Sequence, residues 1–272
     1  MKLARITGPD GPAEVARLDG DVAVILDAPD VVSAATAEGG PRETTRRVSL
    51  ADEGVRLLAP VQPPKFLAIG FNYAEHIGET GAQRPEHPIF FNKQTTCVVG
   101  PGEGIEVPPE SAMVDYEVEL GVVIGRRCRR VSRADALDVV AGYLVVNDVS
   151  VRDWQLHAPT MTLGKGWDTH GPIGPWLTTA DEVPDPQALR LRTWVGDELL
   201  QDGTTADMIF GVAEQIAVLS TMCTLEPGDV IATGTPAGVG IARNPPRWLL
   251  PGEVVRVEVE GLGVLENPVV AG

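Results

Sequence analysis

The chain has few cysteines and no long apolar run. Cys97, Cys128 and Cys223 are odd in number and widely spaced, so they match neither a disulfide framework nor a CxxC metal site. We therefore expect a reducing, cytoplasmic setting. No stretch approaches the ~18 consecutive apolar residues that a membrane-spanning helix requires, and we expect a soluble protein with no membrane partner.

Positive charge is also scarce. Lys and Arg total 22 against 38 Asp and Glu, which gives a net charge of −16 and a pI of about 4.6. Such a field repels phosphate backbones, so we expect no nucleic-acid partner. A small anionic substrate would need a bound cation or a few inward-pointing Lys and Arg side chains to attract it.

A proline-rich segment divides the chain into two parts. Ala59–Pro64 contains three prolines in six residues, and each proline fixes φ and favours extended geometry in the residue before it. We place a domain boundary there, between a small N-terminal α/β unit at residues 1–58 and a larger domain at residues 59–272. The small unit has strand-like runs at Leu3–Thr7, Ala13–Leu18 and Val22–Leu26.

Strands outnumber helices beyond that segment. One helix is predicted to begin at Ser132, with Leu137 and Val140 on one face, and another to span Ala206–Met222. Because the strands do not alternate regularly with helices, we predict an α+β, β-dominated fold with a mixed sheet rather than a doubly wound one. The predicted strands are Lys65–Gly70, Glu117–Ile124, Gly142–Asn147, Leu189–Val195, Val230–Thr233 and Val254–Glu260.

Three carboxylates follow or belong to these strands. On a strand, Glu117 and Glu119 project from the same face because side chains alternate with period two. Asp148 ends the apolar run Tyr143–Asn147. Three carboxylates without a fitting Cys or His favour a hard cation such as Mg²⁺, with Mn²⁺ or Ca²⁺ able to substitute. The alternative is the solvated face of a half-exposed strand.

A histidine and a glutamate are spaced for contact on a short predicted helix. Asn72 is expected to cap this helix, with Glu75 completing a capping box. His76 and Glu79 then lie one turn apart, and a carboxylate beside an imidazole orients it and raises its basicity. The flanking glycines are typical of a mobile lid. An ordinary surface helix with a salt-bridged histidine is the other interpretation.

Two glycine-rich stretches leave alternatives open. Gly164-Lys165-Gly166 either points one ammonium at a ligand or forms a plain flexible loop. Thr233–Gly240 lacks the Gly-Lys-Ser/Thr ending of a P-loop, and is either a tight turn or a nest of backbone N–H groups for a carboxylate. The role of His170 stays ambiguous at this point.

Taken in order along the chain, these segments resemble the fumarylacetoacetate hydrolase family over roughly residues 60–270. The resemblance makes residues 59–272 the catalytic domain, with a rolled, mixed β core, and implies a homodimer. The segments that carry it are Gly70–His76 with Glu79, Asp115–Leu120, Asn147–Gln155, Gly164–Trp176 and Thr233–Pro236.

The resemblance also implies roles for individual residues. Glu117, Glu119 and Asp148 correspond to the metal ligands of the family. The catalytic positions are the water-activating pair His76 and Glu79, together with Lys165. The positions that line or bind the substrate are Tyr73, Lys93, Arg152, Gln155 and Thr235.

The compact pattern N-Y-x-x-H-x-x-E differs from that of the founding fumarylacetoacetase, so fumarylacetoacetate is not the expected substrate. The pattern resembles acylpyruvate hydrolases and related oxo-acid enzymes. It implies a divalent-metal-dependent hydrolase that cleaves a C–C bond of a small 2,4-dioxo acid through a metal-bound enolate. An isomerase or decarboxylase of a 2-oxo acid with the same metal site is the alternative, and a non-catalytic oxo-acid-binding protein is a third possibility.

Overall fold

The computed structural model describes residues 1–8 and 11–272. The strands in this part of the chain are β1 (Lys2–Thr7), β2 (Glu14–Asp19), β3 (Val22–Leu26), β4 (Glu43–Ser49), β5 (Arg56–Leu58), β6 (Phe66–Gly70), β7 (Ile89–Lys93), β8 (Val98–Val99), β9 (Ile105–Val107), β10 (Val114–Asp115), β11 (Val118–Ile124), β12 (Val140–Asn147), β13 (Ser150–Val151), β14 (Gly171–Thr179), β15 (Arg190–Val195), β16 (Glu198–Thr204), β17 (Val230–Ala232), β18 (Val254–Val259) and β19 (Gly263–Ala271). The α-helices are α1 (Val31–Ala35), α2 (Ala74–Thr80), α3 (Arg152–Gln155), α4 (Thr162–Lys165) and α5 (Val212–Met222).

The strands form one large mixed sheet and two smaller ones. The large sheet has the order β4-β3-β2-β1-β14-β12-β11-β17-β6-β7, with β5 paired to β1 and β8 paired to β14. A second sheet has the order β16-β15-β18-β19-β9, and β10 pairs with β13. Most pairs are antiparallel, but β17–β6, β14–β8 and β19–β9 are parallel. The predicted α+β, β-dominated fold with a mixed sheet is confirmed.

The core lies between the large sheet and the second sheet. Residues of β11 are buried on both faces. Val118 and Leu120 pack in one cluster with Val257 of β18, whereas Val123 packs in another with Leu144 of β12. Because β11 is central and buried on both sides, carboxylates near its start are removed from bulk water. The half-exposed strand considered from the sequence is therefore excluded.

The N-terminal strands continue the large sheet. Strand β1 pairs with β14 in the register Leu3↔Leu177, and β2, β3 and β4 follow it outwards. Ala59–Pro64 connects β5 to β6 without regular structure. Residues 1–58 thus share backbone hydrogen bonds with the rest of the chain. Within the described residues, no helix is long and apolar enough to cross a membrane.

Two helix predictions differ from the structure. The helix expected from Ser132 is only a 3₁₀ turn at Ala136–Val139, and Val140 already belongs to β12 because it pairs with Ile124. Helix α5 begins at Val212 rather than Ala206, because the residues before it pair elsewhere: Met208 forms a bridge with Tyr73. In both cases long-range pairing overrides the local pattern.

Candidate active site

Three buried carboxylates meet at the paired ends of β11 and β12. Val118 pairs with Asn147, and this register brings Glu117 and Asp148, one residue outside each strand, side by side. Oxygen atoms of Glu117, Glu119 and Asp148 all lie within 4.8 Å of one another. An all-oxygen, carboxylate donor set fits a hard divalent cation such as Mg²⁺. The strand predicted from Glu117 begins one residue later, at Val118.

Three cationic side chains surround these carboxylates. The Nζ of Lys165 donates to Glu117 Oε2 at 2.5 Å and to Asp148 Oδ2 at 2.8 Å. The Nζ of Lys93 donates to Asp148 Oδ1 at 2.5 Å. The Nη2 of Arg152 donates to Glu117 Oε1 at 2.7 Å. Within residues 1–8 and 11–272, Glu119 forms no ion pair with these cations and accepts one hydrogen bond, from Gly234 N, so its charge has the least compensation of the three carboxylates.

The charges do not balance within this cluster. Arg152 also donates from Nε to Asp115 Oδ2 at 2.7 Å, so four carboxylates face three cations. The acidic residues of the cluster are Asp115, Glu117, Glu119 and Asp148, and its basic residues are Lys93, Arg152 and Lys165. An excess of buried negative charge is what a bound divalent cation would neutralise. The residues present therefore fit such an ion.

The carboxylates differ in how their pKa values are perturbed. Burial alone would raise the pKa of Glu117, but Lys165 and Arg152 outweigh it and lower that pKa to about 2. The pKa of Glu119 is instead raised well above its ordinary value, by burial and then by repulsion from Asp148 and Glu117. Burial and repulsion thus make the negative charge of Glu119 costly, and an added positive charge would offset that cost.

A histidine–glutamate pair lies on α2. The Nδ1 of His76 lies 2.7 Å from Glu79 Oε1, as the spacing predicts. An ionised carboxylate only accepts hydrogen bonds, so Nδ1 carries the proton and Nε2 is left with a free lone pair. His76 is buried, at 6% exposure. This arrangement suits a general base that is oriented from behind.

The glycine-rich segment after β17 is a nest of backbone donors, and the carboxylates that it holds are the protein's own. Gly234 N donates to Glu119 Oε2 at 2.8 Å, and Gly238 N donates to Glu79 Oε2 at 2.8 Å. Gly240 N donates to Asp115 Oδ1 at 2.7 Å. Gly234 and Gly238 have φ of 100° and 104°, values that only glycine adopts readily. One loop therefore positions acidic side chains from three different elements.

The expected N-cap of α2 is wrong. Tyr73 occupies the cap position and makes no side-chain cap bond. The side chain of Asn72 instead donates to the carbonyl oxygens of Phe210 and Thr233, at 3.1 and 2.7 Å, and accepts from Phe210 N at 2.9 Å. Three long-range hydrogen bonds outcompete one local cap. Asn72 thereby fixes the start of α2 to the loop after β17.

A cavity of about 530 Å³ opens beside these groups. Its lining includes His76, Glu117, Glu119, Arg152, Gln155, Lys165 and Thr235. Gln155 Oε1 accepts from Arg152 Nη1 at 2.9 Å. Thr235 Oγ1 donates to Val118 O at 2.9 Å. The volume is typical of a small-molecule site.

Two of the residues expected to bind substrate lie outside this lining. Lys93 is 3% exposed and is committed to Asp148 and to the carbonyl oxygen of Lys165, at 2.6 Å. The expectation that it lines the pocket therefore differs from the structure, because its charge is needed to neutralise a buried carboxylate. Tyr73 is 1% exposed, and its hydroxyl has no hydrogen-bond partner among the described residues.

Other residues of the site carry little sequence signal. Asp115 accepts hydrogen bonds from Arg152 and from the backbone N–H groups of Gly240 and Ile241. In the sequence, only its position just before the E-x-E pattern indicated a place in the site. Gln201 bridges Val118 N and Thr235 Oγ1, at 3.0 and 2.8 Å, and nothing in the sequence marked it.

His170 is not a second base. Its Nε2 lies 2.8 Å from the carbonyl oxygen of Glu106, and the residue is 1% exposed. Burial lowers the pKa of His170 to about 4, so the imidazole is neutral at physiological pH. This resolves the ambiguity of His170 in favour of a structural role.

Two residues on the cavity wall have strained backbone conformations. Phe71 and Met161 have φ of 56° and 61°, in the left-handed region that costs a residue other than glycine about 1–3 kcal/mol. The ring of Phe71 stacks beside His76, with centroids 6.2 Å apart. A Cβ placed on Gly70 would lie 3.2 Å from Met161 Sδ. Strain of this kind persists where the surrounding structure requires it.

Comparison with known proteins agrees with this geometry. The family described as fumarylacetoacetate (FAA) hydrolase C-terminal matches residues 65–270, and the family described as Rv2993c-like, N-terminal, matches residues 1–60. A protein of Burkholderia multivorans, named provisionally as a hydrolase, is 45% identical over 277 residues, which cover 97% of this chain and 96% of that one.

Solved structures resemble the whole chain. A 2-hydroxyhepta-2,4-diene-1,7-dioate isomerase from Mycobacterium marinum aligns with a TM-score of 0.85 and 38% identity, covering 100% of this chain and 98% of that one. A maleylpyruvate hydrolase from Sphingobium sp. SYK-6, solved with manganese(II) and pyruvate, aligns with a TM-score of 0.80 and 32% identity over 100% of both chains.

Proposed function

The chain belongs to the fumarylacetoacetate hydrolase family, and we propose that it hydrolyses a C–C bond of a small 2,4-dioxo acid of the acylpyruvate type. The observation that supports this most is that His76, oriented by Glu79, lines the same cavity as Glu117 and Glu119 of the buried carboxylate cluster. A protein that only binds oxo acids would not need an oriented base there.

A divalent cation is part of the proposal. Glu117, Glu119 and Asp148 would hold it, with Mg²⁺ as our assignment and Mn²⁺ or Ca²⁺ as possible substitutes. When bound, such an ion supplies a Lewis acid and a template for the oxo and carboxylate oxygens of the substrate. The manganese in the maleylpyruvate hydrolase relative supports a metal of this class.

The residues of the chain divide the remaining work. His76 Nε2, oriented by Glu79, removes a proton from a water molecule that attacks the C4 carbonyl group. The C3–C4 bond then breaks, its electron pair stays with the 2-oxo acid fragment, and C3 takes up the proton that His76 removed from the water. Lys165, with Gln155 in support, stabilises the negative charge that develops. The products are a pyruvate-like acid and a second carboxylic acid. Arg152 and Thr235 would bind the substrate from the cavity wall.

An isomerase or decarboxylase acting on a 2-oxo acid is the second candidate. The relative from Mycobacterium marinum is named as an isomerase. Isomerisation and decarboxylation both develop negative charge on the 2-oxo acid, as hydrolysis does, but neither uses an attacking water. Decarboxylation therefore does not need His76 to activate water, whereas isomerisation still needs a base to move a proton.

Turnover of purified, Mg²⁺-loaded protein tests the proposal. We expect it to cleave acylpyruvates, to lose activity with EDTA and to regain it with Mg²⁺ or Mn²⁺. His76→Ala should lower hydrolysis by about 10²–10⁴-fold. Release of CO₂ from oxaloacetate that survives His76→Ala would favour the decarboxylase. Metal-dependent affinity with no turnover of any candidate would favour a binding protein.

The assembly and location of the enzyme are also proposals. We propose a homodimer. We also propose a reducing, cytoplasmic compartment, because the three cysteines are free. Light scattering at micromolar concentration should give twice the chain mass of 28.9 kDa, and a monomer mass would contradict the dimer.

A further inference from the structure

Building on the proposed function, we propose that the acyl group beyond C4 of the substrate is an uncharged, apolar chain or ring. Phe71, Leu156 and Met161 would select it. The site would reject 2,4-dioxo acids that carry a second carboxylate at that end. This narrows the substrate class from 2,4-dioxo acids in general to apolar acylpyruvates.

Apart from Thr80, the side chains of the cavity lining that the proposed chemistry does not use are apolar. Besides Phe71, Leu156 and Met161 they include Pro159 and Ile241. The ring of Phe71 lies beside the imidazole of His76, so the apolar wall starts next to the proposed base. Leu156 is 80% exposed and reaches the solvent side. An apolar surface from the base to the solvent suits an apolar substituent on C4.

The cations of the cavity are already paired. Among the described lining residues only Arg152 and Lys165 are positively charged. Arg152 donates to Asp115, Glu117 and Gln155, and Lys165 donates to two carboxylates. A second substrate carboxylate at the far end of the substrate would therefore find no unpaired cationic side chain among the described lining residues. Burying an ion without a partner is strongly unfavourable.

Two residues of the apolar cavity wall, Phe71 and Met161, have strained backbone conformations. Phe71 and Met161 are two of four described non-glycine residues with positive φ. Both line the cavity, and a Cβ on Gly70 would make a close contact with Met161 Sδ, at 3.2 Å. A contact that served packing alone would not need two strained residues on one wall. The strain is accounted for if these side chains must face the substrate.

Turnover of a matched pair of substrates tests the selectivity. Butanoylpyruvate and succinylpyruvate differ only by a carboxylate in place of the terminal methyl group. We expect kcat/KM for butanoylpyruvate to exceed that for succinylpyruvate by at least about tenfold. Relative to acetylpyruvate, kcat/KM should rise by about fourfold for each added methylene group until the cavity is filled. An equal or greater kcat/KM for succinylpyruvate would overturn the proposal.

A binding measurement separates selectivity from catalysis. 2-Oxohexanoate and 2-oxohexanedioate form the same methyl–carboxylate pair but lack the 4-oxo group, so hydrolysis does not consume them. Calorimetry on the Mg²⁺-loaded protein should show tighter binding of 2-oxohexanoate. If it does and no acylpyruvate is cleaved, the proposed hydrolase function fails and the selectivity stands. Tighter binding of the diacid overturns the selectivity, whatever the turnover.

A charge-adding variant tests the residues named. Leu156→Arg places a cation at the exposed edge of the cavity, and it should shift the binding ratio towards the diacid by up to about fivefold. Met222→Arg, at a 65% exposed position at the end of α5, is the matched control and should leave the ratio unchanged. Equal shifts in both variants would contradict the role of Leu156.

One further variant addresses a competing source of charge. Arg84 is exposed on the loop after α2, close in sequence to the lining residue Ala82. Arg84→Ala should leave the preference for the apolar member of each pair intact. If the wild-type protein prefers the diacid and Arg84→Ala removes that preference, then Arg84 rather than the apolar wall determines specificity, and the proposal is overturned.

Discussion

Glu79 uses both of its carboxylate oxygens. Oε1 lies 2.7 Å from His76 Nδ1 and Oε2 accepts from Gly238 N at 2.8 Å. The backbone bond fixes the carboxylate, and the carboxylate fixes the tautomer of the imidazole. The basicity of His76 Nε2 therefore depends on a loop that is remote in sequence.

The variant Glu79→Gln should remove the carboxylate's control of the His76 tautomer while keeping the size of the side chain. The amide oxygen still accepts from Gly238 N, so the amide NH₂ faces His76 Nδ1 and demands an acceptor there. The proton moves to Nε2, which then no longer acts as a base. We expect kcat to fall by about 10²–10⁴-fold, with the melting temperature little changed. A kcat within threefold (about 0.7 kcal/mol) of wild type would contradict the tautomer argument.

The raised pKa of Glu119 predicts pH-dependent metal binding. Burial, then Asp148 and Glu117, raise that pKa, so protons compete with a cation for the ion-free site. Apparent affinity for Mg²⁺ should consequently fall as the pH is lowered. Calorimetry in two buffers with different ionisation enthalpies measures the protons released. Binding without proton release, or binding that tightens on acidification, would contradict this reading.

Side-chain roles were predictable where the partner is local. The contact of His76 with Glu79 follows from i, i+3 spacing, and the pairing of Glu117 with Glu119 follows from strand alternation. Asn72 was misassigned as a cap, because its partners Phe210 and Thr233 lie 138 and 161 residues away. No local pattern encodes a hydrogen bond of that range.

At the scale of elements, α3 and α4 determine where three site residues lie. Arg152 and Gln155 are on α3, and Lys165 ends α4. The two helices touch at Gly164, where a Cβ would lie 2.4 Å from Gln155 Cβ. The glycine before Lys165 thus allows helix–helix contact, a reason that the sequence alone did not distinguish from loop flexibility.

Gly164→Ala should separate the two helices. Overpacking of this kind costs about 1–3 kcal/mol, and displacement of Gln155 and Lys165 should lower kcat as well. Denaturant unfolding and steady-state kinetics measure the two effects. Gly78→Ala in α2 is the matched control for stability. A Cβ there meets nothing within 4 Å, so we expect a gain of about 0.5–1 kcal/mol. Equal stability of the two variants would refute the close-contact argument.

Element prediction succeeded where a strand is buried along its whole length. The apolar runs that became β6, β11 and β12 are long and bounded clearly. The helix predicted from Ser132 failed because Leu137, assigned to its buried face, is 40% exposed and the chain enters β12 at Val140. Apolar spacing over a few residues cannot distinguish a helix from a turn that precedes a strand.

At the scale of the whole molecule, the large sheet joins the N-terminal strands to the site. Strand β1 pairs with β14, β14 with β12, and β12 with β11, so paired strands connect residue 2 to the strands that carry the three buried carboxylates. The proline-rich segment Ala59–Pro64 was visible in the sequence. The pairing of strands from the two sides of this segment was not visible, because β1 and β14 are more than 160 residues apart in sequence.

This continuity predicts cooperative unfolding. Differential scanning calorimetry of the full chain should give one transition, since removal of residues 1–58 would expose the edge of β14 and the apolar contacts of Leu3. Two separate transitions, or a fragment of residues 59–272 that melts at the temperature of the full chain, would show that the two parts fold independently.

We propose that one divalent cation binds between Glu117, Glu119 and Asp148. Glu119→Gln is a suitable probe, because the one hydrogen bond that Glu119 accepts in the described part of the chain comes from Gly234 N. The substitution leaves the ion pairs of Lys93, Arg152 and Lys165 intact. Calorimetric titration with Mg²⁺ or Mn²⁺ should show one site per chain in the wild type and an affinity at least about 100-fold weaker in Glu119→Gln. No binding by the wild type, or equal affinity in both proteins, would contradict the account.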